Sequence, residues 1–579
     1  MTKQVVLKDT AAQQWLRFAE PVQVIEARTL AEVIPALRSV EAQVGAQGLF
    51  AAGFISYEAA PAFDSALSVR QPGKWPLLWF GLYRQPEVIS CPLTGQAQAC
   101  APDQWSPTVD HDEYWAAIAQ IKEYIARGET YQVNYTFRLR APFAGDAWTL
   151  FQDLARAQQA DYAAYVDTGP LVLCSASPEL FFRLDGRRLL SRPMKGTAAR
   201  GRWAEEDQAQ AEWLRHSEKN RAENVMIVDM IRNDMGRVAE IGSVSVPRLF
   251  DVERYPTVWQ MTSTVRALTD APLVEILQAL FPCASITGAP KPRTMQIIAA
   301  LETTPRGAYT GCIGLIAPGR QAQFNVAIRT VAIDRTTGQA EYGVGGGIVW
   351  DSAAGDEYDE CRTKARVLTT RQPDFSLLET MLWSPADGYW LLELHLRRLQ
   401  RSADYFGIPM DLGAVRQRLM DLAASLPAGS HKVRLLVARD GAVQVQALPF
   451  DGALLSSPVR LRLAPKPIDP ADPFLYHKTT RRQLYDEARA ACPDCDDVLL
   501  WNERGEITET SIANILVQLH GELITPPLTS GLLPGTCRAW LLAQRQVREQ
   551  VITLDMLRRS ERIYTVNSLR KQQEAVMVW

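Results

Sequence analysis

Between Asp110 and Arg127 apolar side chains recur at Tyr114, Ile118, Ile121 and Ile125, a spacing that places them on one helical face. Gly128 stops that helix, and Tyr131-Gln-Val-Asn-Tyr-Thr136 restarts as a strand with alternating sides. Leu180-Phe-Phe-Arg-Leu-Asp-Gly186 reads as a strand running into a turn, with the apolar pair Leu189-Leu190 returning as its hairpin partner. Residues 204–232 read as one long helix with 225–231 as its buried portion, 324–330 and 340–348 as two strands, and 357–368 as a closing helix. Residues 1–100 alternate strands and turns. The short polar segment Thr369-Thr-Arg-Gln-Pro-Asp374 reads as a linker, and a new pattern begins at Phe375. The expectation is an α+β chain of two domains, 1–368 and 375–579, joined by 369–374.

Composition narrows this only slightly. A chain of 579 residues is too long for one core. A net charge of -3 gives no electrostatic reason to expect nucleic acid or an anionic membrane as partner. No apolar run reaches spanning length, and the N-terminus lacks a signal-peptide core, so a cytoplasmic protein is expected. Nine cysteines, mostly within apolar runs, read as reduced thiols, and Cys492-Pro-Asp-Cys495 as a helix-to-strand turn.

Candidate chemistry gathers at three places in the first domain. The hairpin after Ser177-Pro-Glu179 would bring Glu179 towards Lys195 in Ser191-Arg-Pro-Met-Lys-Gly-Thr197. A lysine buried beside a carboxylate can become a nucleophile while the acid donates a proton. Glu223 on one helix, with Glu357 and Glu360 at i, i+3 on another, offers hard oxygen ligands suited to Mg²⁺. The turns Ser285-Ile-Thr-Gly-Ala-Pro-Lys291 and Gly345-Gly-Gly347 could aim backbone N–H groups at a carboxylate, and Arg329 could pair with one.

These residues carry a resemblance. Tyr131-Gln-Val-Asn134, Ser177-Pro-Glu179, Pro193-Met-Lys-Gly-Thr197, Lys219-Asn-Arg-Ala-Glu223, Arg232-Asn-Asp234, Ser285 to Lys291, Arg306-Gly-Ala-Tyr309, Ala327-Ile-Arg329, Gly345-Gly-Gly347 and Glu357-Tyr-Asp-Glu360 stand in the order of the chorismate-utilising enzymes. That family includes the anthranilate, aminodeoxychorismate, isochorismate and salicylate synthases. Ser56-Tyr-Glu58 also resembles its tryptophan-binding region. The resemblance implies chorismate as substrate, Mg²⁺ on Glu223, Glu357 and Glu360, and substrate contacts from Gln132, Thr287, Gly288, Tyr309, Arg329, Gly345, Gly346 and Gly347. Anthranilate synthases carry alanine where Lys195 stands, so the lysine points to amination at C4 through a lysine adduct, with Glu179 as acid; anthranilate formation is the alternative. Isochorismate-forming members place a lysine base where this chain has Gln132. At Gln260, where many relatives have histidine, the chain departs from the pattern.

Downstream, Lys478 in His477-Lys-Thr-Thr-Arg481, Glu509 on the second of two strands joined at Asn502-Glu-Arg-Gly505, and Ser530-Gly-Leu-Leu-Pro-Gly-Thr536 opening a helix could supply a Schiff-base lysine, a pyridinium partner and a phosphate site, while each taken singly also reads as structural. By itself His395 reads as a capping or packing histidine. Residues 375–579 resemble the fold-type IV pyridoxal-phosphate enzymes. That implies pyridoxal 5'-phosphate held by Lys478, Glu509, Arg398, Gly535 and Thr536, and allows dimerisation of this domain. The two resemblances together imply amination of chorismate followed by loss of pyruvate to 4-aminobenzoate. The alternative is a structural or regulatory second module. No glutaminase cysteine–histidine motif is visible, so ammonia is expected from a separate amidotransferase subunit or from free ammonium.

Overall fold

A computed structural model of the chain describes residues 3–93, 104–369, 374–451 and 458–579. Most of the expected linker, 370–373, lies outside the described residues. The chain forms two compact units, one of 1–199 with 211–372, the other of 200–210 with 373–579. Residues 200–210, which the sequence pattern keeps with the first domain, belong to the second unit, where Tyr405 Oη donates to the Gly201 carbonyl at 2.9 Å.

The first unit is an α+β sandwich of two ten-stranded sheets. Val5, Phe18 and Leu173 of one sheet meet Phe54, Trp79 and Ile313 of the other in a shared core. The outer face of the first sheet is covered by helices His111–Ala126 and Ala147–Gln158, and that of the second by Leu30–Gln47, Glu218–Gly236 and Leu273–Leu280. Asp110 caps the first of these helices by accepting from the Glu113 N–H, and Tyr114, Ile118 and Ile121 are buried as the periodicity requires.

The hairpin expected before Lys195 forms, with Leu180–Asp185 pairing Arg188–Arg192. Two expectations are corrected. The helix drawn over 204–232 is two helices, Ala204–His216 and Glu218–Gly236, because Ser217 takes extended backbone and its hydroxyl accepts from the Asn220 N–H. An amphipathic pattern continues across such a cap, so periodicity alone misses it. The strand drawn over 324–330 is also two: Gln321–Val326 lies in one sheet and Thr330–Asp334 in the other. The chain changes sheet at Arg329, whose φ of +52° costs roughly 1–2 kcal/mol for a side-chain-bearing residue.

In the second unit a four-stranded sheet packs on helices Leu392–Phe406 and Leu412–Ser425. Beside it lies an eight-stranded mixed sheet that carries Asp497–Trp501 and Ile507–Thr510. Among the described residues no helix is long and apolar enough to cross a membrane.

Candidate active sites

In the first unit the strand Met194–Ala199 sits at the edge of its sheet and lifts Lys195 towards the other sheet's strands Gln132–Pro142 and Gln339–Ile348. A methyl placed on Gly347 would fall 1.9 Å from Gln132 Nε2 and 2.3 Å from Lys195 Nζ, so glycine is what lets the amine and the amide share that space. The Lys195 amine lies 3.8 Å from Glu223 Oε2, with both side chains largely buried. Gln132 is buried, and its Oε1 has no hydrogen-bond partner among the described residues.

Glu179 is 3% exposed, and its Oε1 likewise has no hydrogen-bond partner among the described residues. Burial pushes its carboxyl up to about 7, against the opposing pull of the Ser285 hydroxyl, the Met194 N–H and the Lys195 charge. A carboxyl so placed can hold a proton at neutral pH and give it up to a leaving group.

The substrate-side residues fall into connected sets. Gly288 and Ala289 pair with Val133 and Gln132; a methyl on Gly288, whose φ is +146°, would lie 2.0 Å from the Gln132 carbonyl. The Thr287 hydroxyl donates within its own turn, to the carbonyls of Cys283 and Ala284. Arg329 Nη1 donates to the Lys364 carbonyl at 2.5 Å, and Lys364 Nζ to the Gly345 carbonyl at 2.8 Å. Tyr309 stands apart from this set, its ring packed over Gly343 and under the Arg138 guanidinium. Glu58 accepts from the Arg306 and Gly307 N–H groups at 2.6 and 2.8 Å, so the Ser56-Tyr-Glu58 motif holds the turn leading to Tyr309.

The three expected metal carboxylates project from helices Glu218–Gly236 and Ala354–Ala365. Glu357 Oε1 accepts from the Ser352 hydroxyl, while a methyl on Gly346 would lie 3.1 Å from its Oε2; Glu360 pairs with Lys364 at 2.6 Å. Among the described residues no group of three ligating side chains is drawn tight around one point. The donors are hard oxygens, which fits a magnesium ion chemically. Burial raises Glu357, and the neighbouring Glu360 charge adds to that; Lys364 holds Glu360 low. Lys364 was not legible as a site residue, since a helix-borne lysine four residues after a glutamate reads as a surface pair.

In the second unit a cavity of about 300 Å³ is lined by Lys478, Glu509, Arg398, Gly535 and Thr536, the five residues expected to hold the cofactor. Burial, reinforced by Arg398, pulls the Lys478 ammonium down to about 8. Burial pushes Glu509 up to about 7 although Tyr485 Oη donates to it at 2.8 Å. Gly535 precedes helix Thr536–Ala543, and a methyl on it would lie 1.9 Å from Asn514 Oδ1. Arg398 is forked onto Glu379 at 2.9 and 2.6 Å. His395 is fully buried between Glu379, at 2.7 Å, and the Thr536 hydroxyl, at 3.3 Å, so its packing role extends to tying the helix mouth to the arginine. Burial works against Glu379, but Arg398 and His395 prevail and hold its carboxyl at about 2. A lysine amine, a facing carboxylate and an anion-binding helix start around one cavity fit pyridoxal phosphate. Tyr485 and Glu379 were missed in the sequence, because neither lies within a motif that names its partner.

The fold sets a two-sheet α+β unit before a smaller α+β unit with a lysine-lined cavity. The sequence profile of the chorismate binding enzyme family matches residues 2–370, and the chain belongs to that family; the profile of amino-transferase class IV matches 376–575. The aminodeoxychorismate synthase of Streptomyces griseus is 42% identical over half of this chain and 40% of its own length. Aminodeoxychorismate synthase component 1 of Bacillus subtilis is 42% identical over 44% of this chain and 54% of its own. The chain thus spans about half, or less, of the length of these relatives. The crystal structure of anthranilate synthase component I from Streptococcus pneumoniae superposes with a TM-score of 0.53 at 24% identity, covering 61% of this chain and 91% of that one; the two share a fold.

Proposed function

We propose that the chain aminates chorismate to 4-amino-4-deoxychorismate in its first domain, residues 1–368, and removes pyruvate from that product in its second, 375–579, giving 4-aminobenzoate. The observation that carries this reading is a lysine amine, Lys195 Nζ, held beside Gln132 and Gly347 and near enough to the buried carboxyl of Glu179 for its charge to act on that carboxyl.

The Lys195 amine attacks C2 of the ring as the double bonds shift and the 4-hydroxyl departs, protonated by Glu179. Ammonia then adds at C4 and expels the lysine, which leaves as the free amine. Glu223, Glu357 and Glu360 would hold Mg²⁺, which would supply positive charge for a substrate carboxylate. Gly345, Gly346, Gly347 and Arg329 take the other carboxylate, and Thr287 and Gly288 shape the pocket walls. Ammonia comes from a glutamine amidotransferase subunit or from free ammonium.

In the second domain pyridoxal phosphate supplies an electron sink for a carbon acid. Glu509, steadied by Tyr485, holds the proton at the ring-nitrogen end, while Arg398, Gly535 and Thr536 hold the phosphate. Lys478, whose ammonium burial pulls down, would take the C4 proton of the amine, and aromatisation would drive out pyruvate.

Mass spectrometry of products from chorismate, ammonium, Mg²⁺ and pyridoxal phosphate tests the whole. 4-Aminobenzoate with pyruvate is expected; anthranilate, or recovery of unreacted chorismate, refutes it.

A further inference from the structure

Gln260 lies where the resemblance to the family leads one to expect histidine, and the proposed chemistry gives it no role. It lies opposite the lysine strand. Pairing runs Met194 to Thr262 and Thr197 to Gln260, with a register shift between, so three steps on one strand face two on the other. Lys195 and Gly196 therefore occupy a β-bulge, the kind of irregularity that re-aims a side chain.

A bulge takes backbone groups out of the ladder, and each must find another partner. Here side chains supply them. Gln260 Nε2 donates to the Gly196 carbonyl at 2.8 Å, and its Oε1 accepts from the Thr197 hydroxyl at 3.0 Å. Asn224 Nδ2 donates to the Lys195 carbonyl at 3.1 Å, with Asn224 itself fixed by the Ser263 hydroxyl at 2.6 Å. Gly196 has a φ of +100°, and a methyl there would stand 3.0 Å from the Asn220 side chain. The bulge is thus gripped from both ends, and within it Lys195 turns towards Gln132 and Gly347.

We propose that Gln260 is the positioning residue of the Lys195 amine, its carboxamide clamping residues 196 and 197 so that the bulge keeps the lysine on the substrate face. The carboxamide suits this because its donor and acceptor sit side by side on one fork, whereas an imidazole carries its two nitrogens on separate edges of a rigid ring. Without the clamp the extra residue can shift along the strand, and a shift of one position turns a side chain to the opposite face. The inference rests on Lys195 being the reacting amine.

The test uses the full chain with Gln260→Met, which keeps length and removes both hydrogen bonds, and with Thr197→Val, which removes one. Three quantities are read: kcat and KM for chorismate amination, the initial rate at which an amine-reactive ester acylates Lys195 (by peptide mass spectrometry, without substrate), and elimination from supplied 4-amino-4-deoxychorismate as a folding control. Gln260→Met is expected to lower amination kcat by about tenfold with KM within about twofold, and to change the Lys195 acylation rate by about threefold or more, leaving elimination intact. Thr197→Val moves both quantities in the same direction by less. Unchanged kcat and acylation in Gln260→Met overturn the proposal, as does a rise in KM alone, which would place the amide on the substrate. If Gln260→Met fails to fold, Thr197→Val decides by the same readouts. Lys195→Ala retaining amination would defeat the nucleophile assignment instead, and the acylation rates would still report on the clamp.

Discussion

Glu179 and Glu379 are both buried carboxyls, yet their neighbours drive them in opposite directions. Glu179 meets mainly burial and rises to about 7; Glu379 meets Arg398 and His395 and falls to about 2. For Glu179 the proton is the working form. Amination should therefore fall towards tenfold per pH unit above about pH 7 as Glu179 loses its proton, a limb read in the kcat profile, and Glu179→Gln should lose about a hundredfold or more. The native carboxyl keeps its proton to about pH 7 while the unfolded one releases it near 4.5, so this residue's contribution to stability declines as pH rises between those values. Glu379 behaves the other way: its stabilisation is present above 4.5 and lost as pH falls through about 2. Glu379→Ala leaves the Arg398 guanidinium buried without its counter-charge and should cost about 3–5 kcal/mol in urea denaturation of the second unit.

Two elements present the chemistry, a bulged edge strand and a helix start. The start of helix Thr536–Ala543 depends on Gly535, because a methyl there collides with the Asn514 amide that also donates to Glu509 at 3.1 Å. Gly535→Ala should therefore weaken pyridoxal phosphate binding by about tenfold in a fluorescence titration while the far-ultraviolet circular dichroism stays native. Binding unchanged in that variant would remove the helix start from the phosphate site.

Across the whole molecule, each of the two compact units carries its own reactive lysine. Lys195→Ala should abolish amination and spare elimination; Lys478→Ala should do the reverse and lose the borohydride-fixed pyridoxyl label on its peptide. Mixing the two variants should restore 4-aminobenzoate from chorismate, because the intermediate formed by one can be consumed by the other. A mixture that stays inactive would mean that each half needs its neighbour's lysine.

The sequence by itself determined which residue types stand at which spacing: the hairpin that returns Lys195 towards Glu179, the amphipathic helix after Asp110, and the α+β class of both halves. These are local properties, written in periods of two and 3.6 and in turn residues a few positions apart. Only the tertiary structure decided the change of sheet at Arg329, the helix break at Ser217, the membership of residues 200–210 in the second unit, the Glu379–His395–Arg398 cluster and the grip of Gln260 on the lysine bulge. Each of these turns on which distant segments pack together, and on hydrogen bonds that buried polar groups find only after that packing, so no short window of the chain contains it.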